Sequence, residues 1–257
     1  MDAPRIPVLE VDLGPGIRAF FTTRDGGVST GPWAGLNVGT AVGDAAGAVE
    51  ENRRLVEDVA GGPVTFVSQV HGREVHLVAE GAAPTTSTAA VEADALVAPA
   101  GGVAVGVYVA DCVPVLLADP VRGVVAAVHA GRPGVEAGVV AAAVRAMVAA
   151  GAGAEASQVR AAVGPAVCGR CYEVPEDLQA RVAGTVPDAL STTAWGTPAL
   201  DLPRAVVGQL RAAGVRDVEH LDVCTRTDER FYSHRRASAE GLVTGRFAGV
   251  VRPPVGR

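Results

Sequence analysis

The sequence predicts an α+β fold, a mixed α/β arrangement of mixed, largely antiparallel β-sheets covered by helices, and three observations carry that prediction. Extended apolar stretches of strand length recur along the chain. Two of them flank Asp119-Pro120-Val121-Arg122-Gly123, whose turn chemistry joins them as an antiparallel hairpin. An Ala/Val-rich helix follows, between Gly131 and Gly151. With 257 residues, 49% of them hydrophobic, the chain has ample material for a core. No repeat of roughly 20 to 50 residues and no compositional boundary appears, so residues 1–257 are expected to form a single domain.

Taken in order, 17–23 reads as a strand running into the Gly-rich turn Arg24-Asp25-Gly26-Gly27-Val28-Ser29. Asp44 is placed to cap a helix through about Val59, with Val49, Leu55, Val56 and Val59 inward. Strands are expected over 64–70, ending at His71, and over 74–78. The segment 82–90, rich in Ser, Thr, Pro and Ala, reads as a loop. Further strands follow at 95–98, 103–109, 113–118 and 124–129. A helix over 133–150, a strand over 159–163, helices over 175–182 and 202–213, and a strand over 217–223 complete the series.

Composition excludes several functions. The net charge of −6 opposes nucleic acid as the main partner, because phosphate-backbone binding needs a basic surface. No apolar run has the length of a membrane span, and the N-terminal residues lack a signal-peptide core, so a cytoplasmic protein without a membrane partner is expected. The chain has no lysine: all 22 basic residues are arginine, which rules out a pyridoxal Schiff base and a Walker-type phosphate loop. Four cysteines in such a chain point to metal binding, reactivity or burial, not to a disulfide framework.

The residues that bear chemistry are His71, Cys112 and His129. Two imidazoles and a thiolate make a zinc site with an open position, whereas structural zinc is closed by four protein ligands. Singly each has a plain reading: a strand-end histidine is ordinarily hydrogen-bonded structure, and a cysteine in an apolar strand a small hydrophobe. Hairpin register makes the trio testable. If Asp119 faces Gly123, Cys112 falls opposite Ala130, and His129 falls opposite Val113 on the other face. A shared metal then requires a one-residue bulge near Pro114, which has no N–H to donate to a ladder. Asp111 is a candidate to orient a ligand or carry a proton. Cys168-Gly169-Arg170-Cys171 could be a redox pair or half of a second metal site, but no second pair accompanies it. Cys224 is expected to be buried.

Several segments resemble the bacterial laccase-domain proteins, first described as polyphenol oxidases and now regarded as zinc-dependent purine nucleoside phosphorylases. They are Thr22-Thr23-Arg24 with Gly26-Gly27-Val28-Ser29, Leu36-Asn37, Ser68-Gln69-Val70-His71-Gly72, Ala93-Asp94-Ala95-Leu96, Ala110-Asp111-Cys112-Val113-Pro114 and Val128-His129-Ala130-Gly131. Gly164-Pro165, Cys171-Tyr172-Glu173-Val174, Phe231-Tyr232-Ser233-His234-Arg235-Arg236 and Thr244-Gly245-Arg246 continue the likeness. The resemblance implies zinc on His71, Cys112 and His129, and phosphorolysis of adenosine, inosine, guanosine and methylthioadenosine, with some adenosine deamination. Nucleosides and phosphate are then the small-molecule partners, and a monomer or homodimer is expected. Two departures stand out: Arg132-Pro133-Gly134 replaces the usual Trp-Arg-Gly, and Cys168 and Cys171 are separated where the family often has adjacent cysteines.

Phosphorolysis aims a phosphate oxygen at the anomeric carbon and releases a purine, so cations and donors must serve both. Arginine forks suit phosphate, which makes Arg24, Arg235, Arg236 and Arg246 candidates; Asn37 and Gln69 join them from the matched motifs. Two other readings compete. A copper phenol oxidase would need many imidazoles, and the chain has five histidines, of which His76 and His220 match no motif. A cysteine hydrolase acting on cell-wall precursors would use Cys112 as nucleophile and His71 or His129 as base.

Overall fold

A computed structural model describes residues 6–79, 91–151 and 155–254. The Ser/Thr-rich loop expected over 82–90 lies outside them. Two β-sheets stack face to face, and helices cover both outer surfaces. The first sheet holds β1 (Val8–Glu10), β2 (Arg18–Thr22), β13 (Phe247–Arg252), β6 (Ala104–Val109) and β3 (Val64–Thr65), in that order. The second runs β12 (Asp217–His220), β9 (Arg160–Val163), β7 (Val113–Asp119), β8 (Val124–Ala130), β5 (Ala95–Ala98) and β4 (Val75–Leu77). Only the outer pairs β3/β6, β4/β5 and β9/β12 are parallel; the interior pairs are antiparallel, as expected. A small hairpin of β10 (Leu190–Thr192) and β11 (Pro198–Leu200) lies apart.

The period of two along each strand explains the layers. In β7, Leu116 and Ala118 point into the space between the sheets, beside Val105 and Val107 of β6 and Phe21 of β2. Val113, Val115 and Leu117 point the other way, onto helices α3 (Val139–Ala150) and α5 (Leu202–Ala212). With both faces covered, all seven residues of β7 are buried, each large apolar side chain contributing roughly 1.5–3 kcal/mol. On the far side of the first sheet, α1 (Ala46–Ala60) packs Val56 and Ala60 against Phe20, Ala248 and Val250. The remaining helices are α2 (Arg132–Ala137), α4 (Glu176–Thr185) and α6 (His234–Ala239).

Several expectations are corrected. The helix expected over 133–150 is two, because Gly138 adopts φ +81° and ends α2 as it begins α3. Asp44 does not cap α1. Ala45 holds that position, and the Asp44 carboxylate instead accepts from Ser29 Oγ (2.6 Å), Asn37 Nδ2 (2.8 Å) and the Ala45 N–H (2.8 Å). The strand expected over 64–70 stops at Thr65 because Gln69 completes the pairing with its side chain: Nε2 donates to Tyr108 O (2.8 Å) and Oε1 accepts Tyr108 N–H (2.9 Å). The strand expected through 223 ends at His220. No sequence expectation covers β13, which is the middle strand of the first sheet.

The hairpin is the correction that matters for function. Asp119 pairs with Val124, not Gly123, and the ladder continues unbroken to Val113 opposite Ala130. The extra residue is absorbed at Gly123, where φ is +72° and the N–H donates to Asp119 O (2.8 Å). Pro114 therefore pairs with His129 and no bulge is present there. The pair tolerates proline because the His129 N–H turns away, to Asp94 O at 2.7 Å, and makes no demand on Pro114. This one-residue change of register puts Cys112 on the same side as Pro114 and His129.

Candidate metal centre

His129 is the penultimate residue of β8, Cys112 immediately precedes β7, and His71 lies on the loop between β3 and β4. The donor atoms of His71, Cys112 and His129 all lie within 4.8 Å of one another. Cys112 Sγ is 3.7 Å from His71 Nε2, and the two imidazole rings meet edge to face with centroids 4.7 Å apart. His129 is 2% exposed, whereas His71 is exposed and Cys112 half-buried, so the group opens outward. Gly131 supplies the room: a Cβ there would approach His71 Cδ2 to 2.5 Å and Cys112 Sγ to 3.3 Å.

Asp94 organises the centre. Fully buried, it accepts the His71 N–H (2.9 Å), the Gly72 N–H (2.6 Å) and His129 Nδ1 (2.7 Å). A carboxylate taking these donors only accepts, so the proton lies on His129 Nδ1 and Nε2 is free to bind a metal. The same bonds hold His71 at φ +60°, a left-handed conformation that costs a non-glycine residue about 1–3 kcal/mol. Asp111, at φ +87°, is strained in the same sense.

Electrostatics couple the group. Burial opposes ionisation of Cys112, but His129 and His71 outweigh it and bring the thiol down to about 6. Burial likewise opposes the His129 cation, and the Cys112 thiolate and Asp94 outweigh that, raising it to about 9. Asp94 is held below the usual carboxylate range: burial pushes it up, and the bond and charge of His129 together with the Gly72 and His71 N–H bonds outweigh it. Two neutralisable imidazoles and a readily formed thiolate, convergent and backed by a buried carboxylate, fit a metal ion.

The group opens into a cavity of about 260 Å3 whose walls include Asp111, Arg132, Tyr172, His234 and Arg235. The Arg235 guanidinium lies 4.6 Å over the Tyr172 ring. Asp111 reaches no metal donor: Oδ1 accepts Thr225 Oγ1 and Oδ2 accepts the Arg235 N–H, both at 2.6 Å. It thereby ties the β7 entry to the start of α6. Arg132, at the sequence departure, is paired with Glu136 (2.6 Å), which also holds Arg181 (2.6 Å).

Of the predicted arginines, the structure brings Arg235 alone to this cavity's wall. Arg24 and Arg236 meet at a separate cleft with Asp25, Glu229 and Arg230. Arg24 donates to Ala34 O (3.2 Å), and Arg236 to the carbonyls of Thr225 (2.7 Å), Arg226 (3.0 Å) and Phe231 (2.5 Å). Arg246 donates to the carbonyls of Thr244 and Gly245, each at 3.0 Å. Asn37 is fully buried, taking the N–H groups of Gly39 (3.0 Å) and Arg246 (2.8 Å), and Gln69 is spent on Tyr108. Apart from the local bonds of the Arg246 guanidinium, these are clasps between chain segments. Asp94 is the residue whose role sequence reasoning missed; its signal was an acid at the mouth of the apolar strand 95–98.

Residues 18–253 match the family described as multi-copper polyphenol oxidoreductase laccase. The chain belongs to this family. Among curated relatives of this laccase-family protein, a purine nucleoside phosphorylase of Streptomyces coelicolor is 50% identical over 243 residues, covering 93% of this chain and 97% of the relative. One of Deinococcus radiodurans is 39% identical over 259 residues, covering 99% and 96%. The protein YfiH of Bacillus licheniformis has a similar crystal structure, with a TM-score of 0.84, 30% identity and 97% of each chain covered. In this laccase-family protein no helix among the described residues is long and apolar enough to cross a membrane.

Proposed function

We propose that this protein is a zinc-dependent purine nucleoside phosphorylase of relaxed specificity, with His71, Cys112 and His129 as metal ligands. The observation that carries the reading is that three convergent donors adjoin a cavity, lined by His71 and Cys112 and walled by Arg235 and an aromatic ring, in a chain half identical to a relative of that name. His71, Cys112 and His129 would hold zinc, which would supply Lewis acidity and make a bound water more acidic. Arg235 offers paired N–H donors for phosphate oxygens. Tyr172 backs that guanidinium, Asp111 fixes the chain at Arg235, and Asp94 keeps the His129 proton on Nδ1. Breadth across adenosine, inosine, guanosine and methylthioadenosine, with accompanying adenosine deamination, belongs to the same proposal.

Zinc is preferred to copper on donor chemistry. Of five histidines, His76 and His220 are on β4 and β12, outside the donor group. Among the described residues the second possible metal group contains no imidazole, so a multicopper centre lacks ligands. A second reading draws on the 3.7 Å contact between Cys112 and His71, which also suits a thiol nucleophile and its base.

Base release from adenosine and inosine should be measured with zinc-loaded, copper-loaded and metal-free protein, with and without phosphate. The expected result is release that needs both zinc and phosphate. Release indifferent to phosphate makes the protein a nucleoside hydrolase, and turnover by metal-free protein that alkylation abolishes favours the cysteine reading. No reaction of zinc-loaded protein with either nucleoside overturns the phosphorylase.

A further inference from the structure

We propose that Cys168, Cys171 and Cys224 form a second metal site, a three-thiolate centre for a thiophilic ion of the zinc type. The three sulfurs lie within 4.8 Å of one another, although Cys224 is far from the other two in sequence. Cys224 is half-buried like its partners, not buried as the sequence implied, and it supplies the third ligand that Cys168-x-x-Cys171 lacks.

Backbone bonds build the convergence. Cys171 N–H and Tyr172 N–H both donate to Cys168 O (2.9 and 3.0 Å), folding the first two cysteines into a tight turn. A second turn has Thr227 N–H and Asp228 N–H on Cys224 O (3.2 and 3.0 Å). The two turns are clasped by a parallel bridge, with Ala166 N–H donating to Val223 O (3.1 Å) and Thr225 N–H to Ala166 O (3.0 Å). The sulfurs therefore meet because the main chain delivers them.

One side contact also favours the anion of Cys224. The Cys168 N–H is directed at Cys224 Sγ (3.5 Å). Donors aimed at sulfur favour its anion, and hydrogen bonds to sulfur are a recurring way of tuning metal-thiolate centres. Three sulfurs this close can all ionise only when a cation offsets their mutual repulsion. The Arg226 guanidinium is engaged elsewhere, on Cys171 O (2.9 Å) and over the Trp195 ring. A disulfide would use two of the sulfurs and leave the third, whereas a soft divalent ion engages all three; calcium or magnesium would need oxygen ligands. Three ligands leave a fourth position for solvent. Loading displaces the thiol protons to solvent and changes no oxidation state. Because Val167 and Tyr172 adjoin these cysteines and line the cavity beside His71 and Cys112, an ion here braces that wall.

The test uses the full chain with Zn2+ and Cd2+. Metal content after dialysis is expected to show two equivalents of zinc. The Cys112→Ser variant, which removes a ligand from the other group, should keep one and develop a thiolate-to-cadmium charge-transfer band on titration. Cys171→Ser should lose that band and one equivalent. A Cys112→Ser protein that binds no zinc and gives no cadmium band overturns the proposal. Should Cys171→Ser fail to fold, alkylation of wild type decides: Cys168, Cys171 and Cys224 must be protected by zinc and labelled after chelation. Equal labelling with and without zinc, or a disulfide among the three in zinc-loaded protein, equally overturns it.

Discussion

The two groups of donors in this molecule are built by opposite means. His129 and Cys112 stand near the ends of the buried strands β8 and β7, and Asp94 locks His129 to the His71 main chain from within. Cys168, Cys171 and Cys224 all come from loops, are each half-buried, and are held by main-chain turns without a buried carboxylate. The first group mixes imidazole and thiolate and faces a cavity; the second is all sulfur and lies behind that cavity's wall. Rigid strands with a buried acid suit chemistry, because the donors keep their geometry while the ligand changes. Loops closed by a metal suit bracing, because the ion itself supplies the order.

The largest expected effect separates the two outright. Replacing Cys112 by Ser should cost more than about 100-fold in base release, since even residues that only orient metal ligands cost about 10–100-fold. Cys171→Ser should cost less than about tenfold by the same scale. Equal losses in kcat/KM would erase the distinction drawn above.

Asp94→Asn comes next. An amide NH2 cannot accept, so one of the donors from His71, Gly72 or His129 loses its partner. Zinc affinity, read by competition with a chromophoric chelator, should fall by about 10–100-fold, and the metal-free fold should lose about 1–3 kcal/mol. The second equivalent of zinc should be untouched. Weakening of both sites together would mean that Asp94 acts on the whole fold.

Arg235→Ala probes the cavity between the two groups. A charge-assisted hydrogen bond contributes about 1.5–3 kcal/mol, so KM for phosphate should rise by roughly tenfold to 100-fold with smaller change in nucleoside KM. Arg24→Ala, at the other cleft, should leave both constants alone. An Arg235 variant with unchanged phosphate KM would remove this residue from the reaction.

How much of this could be read from the chain depends on whether information was local. Metal donors advertise themselves by residue type, and the β7/β8 hairpin by its turn, so the trio was legible. Register was not, because Gly123 could equally pair with Asp119 or take the left-handed position inside the turn, and only the observed φ of +72° decides. That one residue turned an expected bulge at Pro114 into an unbroken ladder. The partners of the arginines and amides were hidden for a related reason. Arg24, Asn37, Gln69 and Arg236 occur in the matched motifs, yet each satisfies a distant main-chain group, a long-range fact that residue identity does not carry. Cys224 joined Cys168 and Cys171 for the same reason: the bridge to Ala166 is non-local.

The smallest effect is the most direct comparison, because it asks both groups the same question about protons. In metal-free protein the Cys112 thiol, opposed by burial but drawn down by His129 and His71 to about 6, should be largely thiolate at neutral pH. Burial, reinforced by the negative charge of Cys224 and Cys168, pushes Cys171 up to about 12, so it should remain a thiol. The thiolate is the reactive form, and neither residue is fully exposed. Iodoacetamide labelling followed by peptide mapping should therefore modify Cys112 well before Cys171 at pH 7. The Cys112 rate should fall as pH drops through about 6, since protonation removes the nucleophile, whereas the Cys171 rate should still be climbing at the alkaline end. Zinc should abolish both reactivities, each through its own group. If Cys171 instead labels first at pH 7, its sulfur is the better-stabilised anion, and the contrast between a strand-mounted site and a loop-mounted one would have to be drawn the other way round.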